Sequence, residues 1–167
     1  EPCEFAIYSG GPLRSNNPEY VERARRMEAE GKIKIYDNLK KDEYYALLND
    51  TRVLFNCALQ DWVSNTVSEA DTMGTLTLYP AYRSFPEVFA NNGNHLYVPW
   101  SIEDAQEKLT KMFNSIDNND LSAYNIGKIS DYQNGTIDRT IDSILTEHAN
   151  RRDCTTYRKH VAKAKYD

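Results

Sequence analysis

Short β-prone runs alternate with amphipathic stretches along the first two-thirds of the chain, and this alternation restricts the fold more than any single motif. Phe5-Ala6-Ile7-Tyr8 is apolar and β-prone, and Ser9-Gly10-Gly11-Pro12 stops it. Asn17 is then placed as an N-cap, Pro18 suits a first helical position and Glu19 complements the helix dipole. Val21, Ala24 and Met27 fall on one stripe, and Gly31 is the expected C-terminal stop. Residues 32–36 alternate Ile33 and Ile35 with lysines, as a half-buried strand does, and residues 41–49 put Tyr44, Leu47 and Leu48 on a helical face. Residues 52–58 contain Val53-Leu54-Phe55, a short buried strand. A helix over 66–73, a strand over 75–79, a short helix over 85–91 and a last strand over 95–98 follow. Ser101 caps a helix running to about Ile116, with Asp104 at the capping-box position.

Strands separated by helical segments of this length pair in parallel through crossover helices. The expected fold class is therefore α/β, a Rossmann-like open parallel sheet with crossover helices. Its ligands are expected beyond the carboxyl ends of the strands. Past Asn118 the strand signal stops. Asn118-Asn119-Asp120 reads as a hinge, and residues 121–129 and 136–148 as C-terminal helices, the second through Ile137, Ile141, Ile144 and Leu145. Residues 151–167 carry Arg151, Arg152, Arg158, Lys159, Lys163 and Lys165 against Asp153 and Asp167. Such a basic tail is either a solvated segment or one that docks onto a partner domain.

The 167 residues correspond to one ordinary domain, and the net charge of −5 argues against a general electrostatic nucleic-acid binder. No apolar run approaches the ~20 residues that span a bilayer. Glu1-Pro2 opens without a basic start and apolar stretch, so a cytoplasmic location is expected and the chain reads as a piece of a longer one. Cys3, Cys57 and Cys154 are odd in number and lack C-x-x-C spacing, and His95, His148 and His160 are scattered. Neither a disulfide framework nor a metal site is expected. Asn49-Asp50-Thr51 and Asn134-Gly135-Thr136 fit a glycosylation sequon that carries little weight without a secretory signal.

One segment carries chemistry: Asp61-Trp62-Val63-Ser64-Asn65-Thr66-Val67-Ser68-Glu69-Ala70. It follows a buried strand, opens a helix and places two acids eight positions apart. Asp61 belongs in the loop at the strand's carboxyl end and Glu69 in the first turns of the helix. Between them the amides of Ser64, Asn65 and Thr66 point from a helix N-terminus, where anions bind well. Carboxylates do not ligate phosphate, but they accept from hydroxyls at two lone-pair sites per oxygen. The ligand that fits is a diphosphate with sugar hydroxyls at both ends, a nucleotide sugar. The structural alternative makes Thr66 to Glu69 a capping-box spacing and Asp61 a turn residue.

The segment resembles the paired-acid signature of retaining GT-B-type glycosyltransferases of the group-1-like family: an acid, seven residues, then Glu followed by Ala. The flanking pieces follow the same order. Residues 5–12 are similar to the family's strand ending in a Gly-rich turn, and residues 32–38, 44–48 and 52–58 to the strand, helix and strand before the acid pair. Leu78-Tyr79-Pro80, Ser84-Phe85-Pro86-Glu87-Val88 and residues 92–99 are similar to its closing strand, Pro-Glu helix, Asn-Gly turn and last strand. The likeness covers about residues 4–116. It departs in having Asp61 where the family has Glu, and Trp62-Val63-Ser64 in place of a Gly-rich turn.

The resemblance implies the donor-binding half of a glycosyltransferase that moves a sugar from a nucleotide diphosphate to an acceptor, with retention and without a metal. Residues 1–117 would form the nucleotide-sugar-binding core, lacking its first strand-helix unit, and residues 118–167 a helical extension and basic tail. No separate cofactor is expected, the donor being a UDP- or GDP-linked sugar. The acceptor domain, an N-terminal one, would be the missing partner, and residues 1–167 alone would be inactive. Carried over by position, Asp61 is the catalytic residue, holding hydroxyls of the donor sugar. Trp62, Val63, Ser64, Asn65 and Thr66 would meet the phosphate side, Glu69 the ribose hydroxyls, and Tyr36, Asp37 and Asn38 would flank the base. The alternatives are a sugar-nucleotide epimerase of the same architecture and a non-enzymatic α/β binding or interaction module.

Overall fold

Among the described residues strands and helices alternate up to Asp117, as expected from the sequence, and a further helix follows. The computed structural model describes residues 4–59, 64–124, 126 and 128–153. In chain order the elements are β1 (Ala6–Tyr8), α1 (Pro18–Ala29), β2 (Lys34–Tyr36), α2 (Lys41–Asp50), β3 (Val53–Phe55), α3 (Asn65–Thr72), β4 (Leu76–Pro80), α4 (Phe85–Val88), β5 (Leu96–Tyr97), α5 (Ile102–Asp117) and α6 (Lys128–Asp153). The anticipated caps are in place. Asn17 Oδ1 accepts the Glu19 N–H at 3.1 Å, and Gly31 takes the left-handed φ of 69° just past α1. Ser101 Oγ accepts the Asp104 N–H at 3.2 Å, but the Asp104 carboxylate takes the Val98 N–H at 2.7 Å while the Ser101 N–H donates to the Val98 carbonyl, so the reciprocal half of the expected capping box is not formed.

Every strand pair is parallel, with Ile7 opposite Ile35, Leu54 opposite Thr77 and Tyr79 opposite Leu96. The protein is thus an α/β structure with short parallel sheets. Where one open sheet was expected, the strands divide into a pair, β1-β2, and a triplet, β3-β4-β5. The Tyr8 hydroxyl lies 2.6 Å from Thr51 Oγ1, immediately before β3, so a side-chain contact joins the two groups.

β4 lies at the centre of the triplet and all five of its residues are buried. The period of two sends alternate residues to opposite faces. Leu76 and Leu78 pack with Tyr97, Met112 and Tyr124, joined by Leu109 and Ile116 of α5 at helical spacing. Tyr79 packs on the other face with Val67, Phe85, Phe89, Leu96 and Ile129. Each fully buried side chain of this size contributes roughly 1.5–3 kcal/mol of burial free energy. His95 joins this layer, its ring stacked on Phe89 with centroids 4.8 Å apart.

Residues 121–129 depart from the expected helix. Residues 122–124 form a turn, and the helix starts at Lys128. Asp120 Oδ1 accepts from the Ser122 N–H and hydroxyl, and the side-chain amides of Asn92 and Asn94 donate to the Ala123 carbonyl at 2.9 and 3.1 Å. These partners hold backbone groups that a helix would have used internally. Leu121, Tyr124 and Ile126 instead pack into the core, so the central layers draw on residues either side of position 117. α6 in turn begins eight residues before the expected 136, running through Gly135. Glycine at such a position costs about 1 kcal/mol relative to Ala. Beyond Ile129 its apolar stripe is exposed at Ile137, Ile141, Ile144 and Leu145. Among the described residues no helix is long and apolar enough to cross a membrane.

Candidate functional site

In a parallel α/β arrangement helices start beside the carboxyl ends of the strands they follow, so the first turns of α2 and α3 share one end of the sheets. Glu69 lies there, in the second turn of α3 and half-buried. Tyr44, from α2, donates its hydroxyl to Glu69 Oε2 at 3.1 Å, and its neighbour Tyr45 donates to Oε1 at 3.2 Å. One helix therefore supplies one hydroxyl to each carboxylate oxygen. The two rings are packed at 5.5 Å between centroids, and Lys41 Nζ sits 5.4 Å from the Tyr45 ring centre. Burial, and then the Glu69 carboxylate, push the Tyr44 phenol up to about 12. The Tyr45 hydroxyl and the Glu69 charge raise the Lys41 ammonium above its ordinary value.

The capping-box alternative for Glu69 is not what forms. The N-cap of α3 is Ser64, which makes Val67 the third helical residue and Glu69 the fifth. A carboxylate in that place lies too far along the helix to reach the N-cap amide, and this one faces α2 instead. The Ser64 side chain does not cap the helix either, because its buried hydroxyl lies against Tyr79 Oη at 3.5 Å. Thr66 is half-buried and touches the Tyr44 hydroxyl, while Asn65 is exposed. Asp61, Trp62 and Val63 lie outside the described residues.

Tyr36 ends β2, and it and the following Asp37 and Asn38 find partners in α1, β1 and the segments beside them. Tyr36 packs edge-on against Tyr8 and donates to Glu4 Oε1 at 3.4 Å. Asp37 pairs with Arg25 of α1, whose guanidinium holds the carboxyl below its ordinary value. Asn38 adopts a left-handed φ of 57°, which its short polar side chain tolerates, and its N–H donates to the Gly11 carbonyl at 3.2 Å. The structure thus joins Glu69 to Thr66 through Tyr44, and gives Tyr36, Asp37 and Asn38 partners of their own.

Tyr44, Tyr45 and Lys41 escaped the sequence reading as site residues. Tyr44 falls on the apolar face of its helix beside Leu47 and Leu48, where an aromatic ring reads as core. The available signal was the tyrosine pair itself, two phenols early in a helix that must pack beside an acid-bearing one. His95 is a core residue: its Nδ1–H donates to the Thr77 carbonyl at 2.9 Å. Among the described residues no cluster of His, Cys, Asp and Glu could hold a metal ion.

Comparison with protein-family models, with curated proteins and with solved structures returns no match to this chain. The chemistry of the Glu69 cluster therefore bears the functional argument.

Proposed function

We propose that this chain is the donor-binding part of a glycosyltransferase, taking a nucleotide-diphosphate sugar as substrate and transferring its sugar with retention. The observation that carries the reading is the Glu69 carboxylate, which accepts one hydroxyl on each oxygen near the carboxyl ends of parallel strands. A carboxylate has about four acceptor sites, so two remain for the vicinal hydroxyls of a ribose. The parallel pair β1-β2 and the parallel triplet β3-β4-β5 are compatible with a Rossmann-like α/β class, in which the ligand lies at the switch point of the sheet.

In this mechanism the ribose binds at Glu69 and the diphosphate at the N-terminus of α3, near the amides of residues 64–66. There the helix dipole favours the negative charge that grows on the leaving diphosphate. Asp61 accepts from hydroxyls of the transferred sugar and gains strength as that ring becomes oxocarbenium-like. Catalysis is then positioning and electrostatic stabilisation. The acceptor binds on another domain of the complete protein. An epimerase would need histidine and acid side chains around the sugar, and His95 lies in the core instead.

The test is thermal denaturation of the protein with uridine or guanosine diphosphate. A ligand at 100 times its dissociation constant stabilises by about 2.7 kcal/mol, which for a domain of this size raises Tm by roughly 5–10 °C. An unchanged Tm with both nucleotides would overturn the donor reading and favour an interaction module.

A further inference from the structure

We infer that Tyr44 and Tyr45 are positioning residues that make the site selective for ribose, an inference that rests on the donor reading above. A glutamate side chain turns about three bonds, and a half-buried one left alone would sample several rotamers. Here two phenols from adjacent positions of α2 hold it, Tyr44 at Oε2 and Tyr45 at Oε1, so the plane of the carboxylate is set before ligand arrives. The phenols are themselves constrained. Their rings pack together at 5.5 Å, Thr66 touches the Tyr44 hydroxyl, and the Lys41 ammonium stands over the Tyr45 ring. Each carboxylate oxygen keeps one acceptor site, and the pair is spaced for two neighbouring hydroxyls. A preset acceptor pair saves the ordering cost that a mobile side chain would meet on binding. The phenols touch the carboxylate rather than the reacting atoms, so their effect should fall on the choice of sugar ring and leave the diphosphate end alone.

The experiment is calorimetric titration of uridine and guanosine diphosphate and of their 2′,3′-dideoxy counterparts. It is done on the unaltered protein, on Tyr44→Phe, on Tyr45→Phe and on the double variant, with a melting curve for each. The phenylalanine variants keep the ring packing and remove only the hydroxyl. The unaltered protein should prefer the ribonucleotide by about 10- to 100-fold, in line with the loss of hydrogen bonds to a charged acceptor. In the double variant that ratio should fall below about threefold while affinity for the dideoxy compound stays within twofold. A lowered Tm with the full ratio retained would make the tyrosines structural only and overturn the inference. Tighter ribonucleotide binding by the variants would also overturn it, showing that the phenols compete with ribose for Glu69. Absence of any ribose preference in the unaltered protein would remove Glu69 as the ribose contact, and the positioning role with it. Failure of the unaltered protein to bind either diphosphate would overturn the donor reading itself, a result distinct from all of these.

Discussion

The carboxylate of Asp71 accepts the backbone N–H of Ile129 at 3.2 Å, tying the end of α3 to the first turn of α6 across 58 residues of sequence. Asp71 is only 6% exposed, and Ile129 beside it is buried at 2%. The bond satisfies one of the unpaired amides that begin every helix and favours a negative charge at the positive end of the dipole. Asp71→Ala should therefore destabilise the protein by about 1–3 kcal/mol, since a buried N–H loses its acceptor. Urea denaturation checks this. A midpoint within error of the unaltered protein would show that α6 starts without help from α3.

Glu69→Gln should weaken nucleoside diphosphate binding by about 10- to 100-fold while lowering stability by only about 1 kcal/mol. The amide retains one acceptor oxygen for a tyrosine and presents N–H donors to the other, so one of the two phenol bonds is lost along with the charge. Titration calorimetry beside a melting curve separates the two effects. Unchanged affinity with a lowered Tm would make Glu69 a brace between α2 and α3 and no more.

Asp61→Asn should act on turnover and sugar choice, leaving nucleoside diphosphate affinity nearly intact. On the donor reading Asp61 holds the transferred sugar, which a free diphosphate lacks, and only an interaction that strengthens in the transition state raises the rate. On that reading, kcat for sugar transfer should fall with the diphosphate dissociation constant unchanged. Equal loss of nucleotide and nucleotide-sugar binding would assign Asp61 to loop structure.

His95 contributes to the response to acid. Burial lowers its pKa from the ordinary 6.5, outweighing the opposing effects of the Thr77 carbonyl and the Asp71 charge. The folded protein therefore holds the neutral ring at pH values where the unfolded chain already binds a proton. The contribution is present above pH 6.5 and is lost as the pH falls through the lower, folded-state pKa. Tm should drop between pH 6.5 and 5 by more than in His95→Phe, which has no proton to take up. Parallel curves for the two proteins would refute the assignment.

Local signals carried much of the fold. Asn17-Pro18 and Ser101-x-x-Asp104 mark helix starts through side-chain bonds to amides two or three residues away, so a linear sequence displays them. The residues that stop a helix over 121–129 are harder to see, because Asn92 and Asn94 act on Ala123 from about thirty positions upstream. Asp71 starts α6 from farther still. The candidate site divides in the same way. Glu69 stands out by its spacing from Asp61, whereas the partners that fix it come from α2, and only packing brings them together. At Asp37 the strand-end position is legible in the sequence, whereas its pairing with Arg25 of α1 is not.

The absence of any buried residue from β1, α1 and β2, set against the full burial of β4, divides the described fold into parts of unequal cooperativity. Amides in Ala6–Tyr8 and Lys34–Tyr36 can exchange with solvent through local opening, because detaching this unit uncovers little apolar surface. Those of Leu76–Tyr79 are shut between two packed layers and should exchange only on global unfolding. On the donor reading, a molecule bound at the neighbouring strand ends should change exchange in the β1-α1-β2 unit before it changes exchange in β4. Slowed exchange confined to that unit would register a bound molecule spanning both sheets.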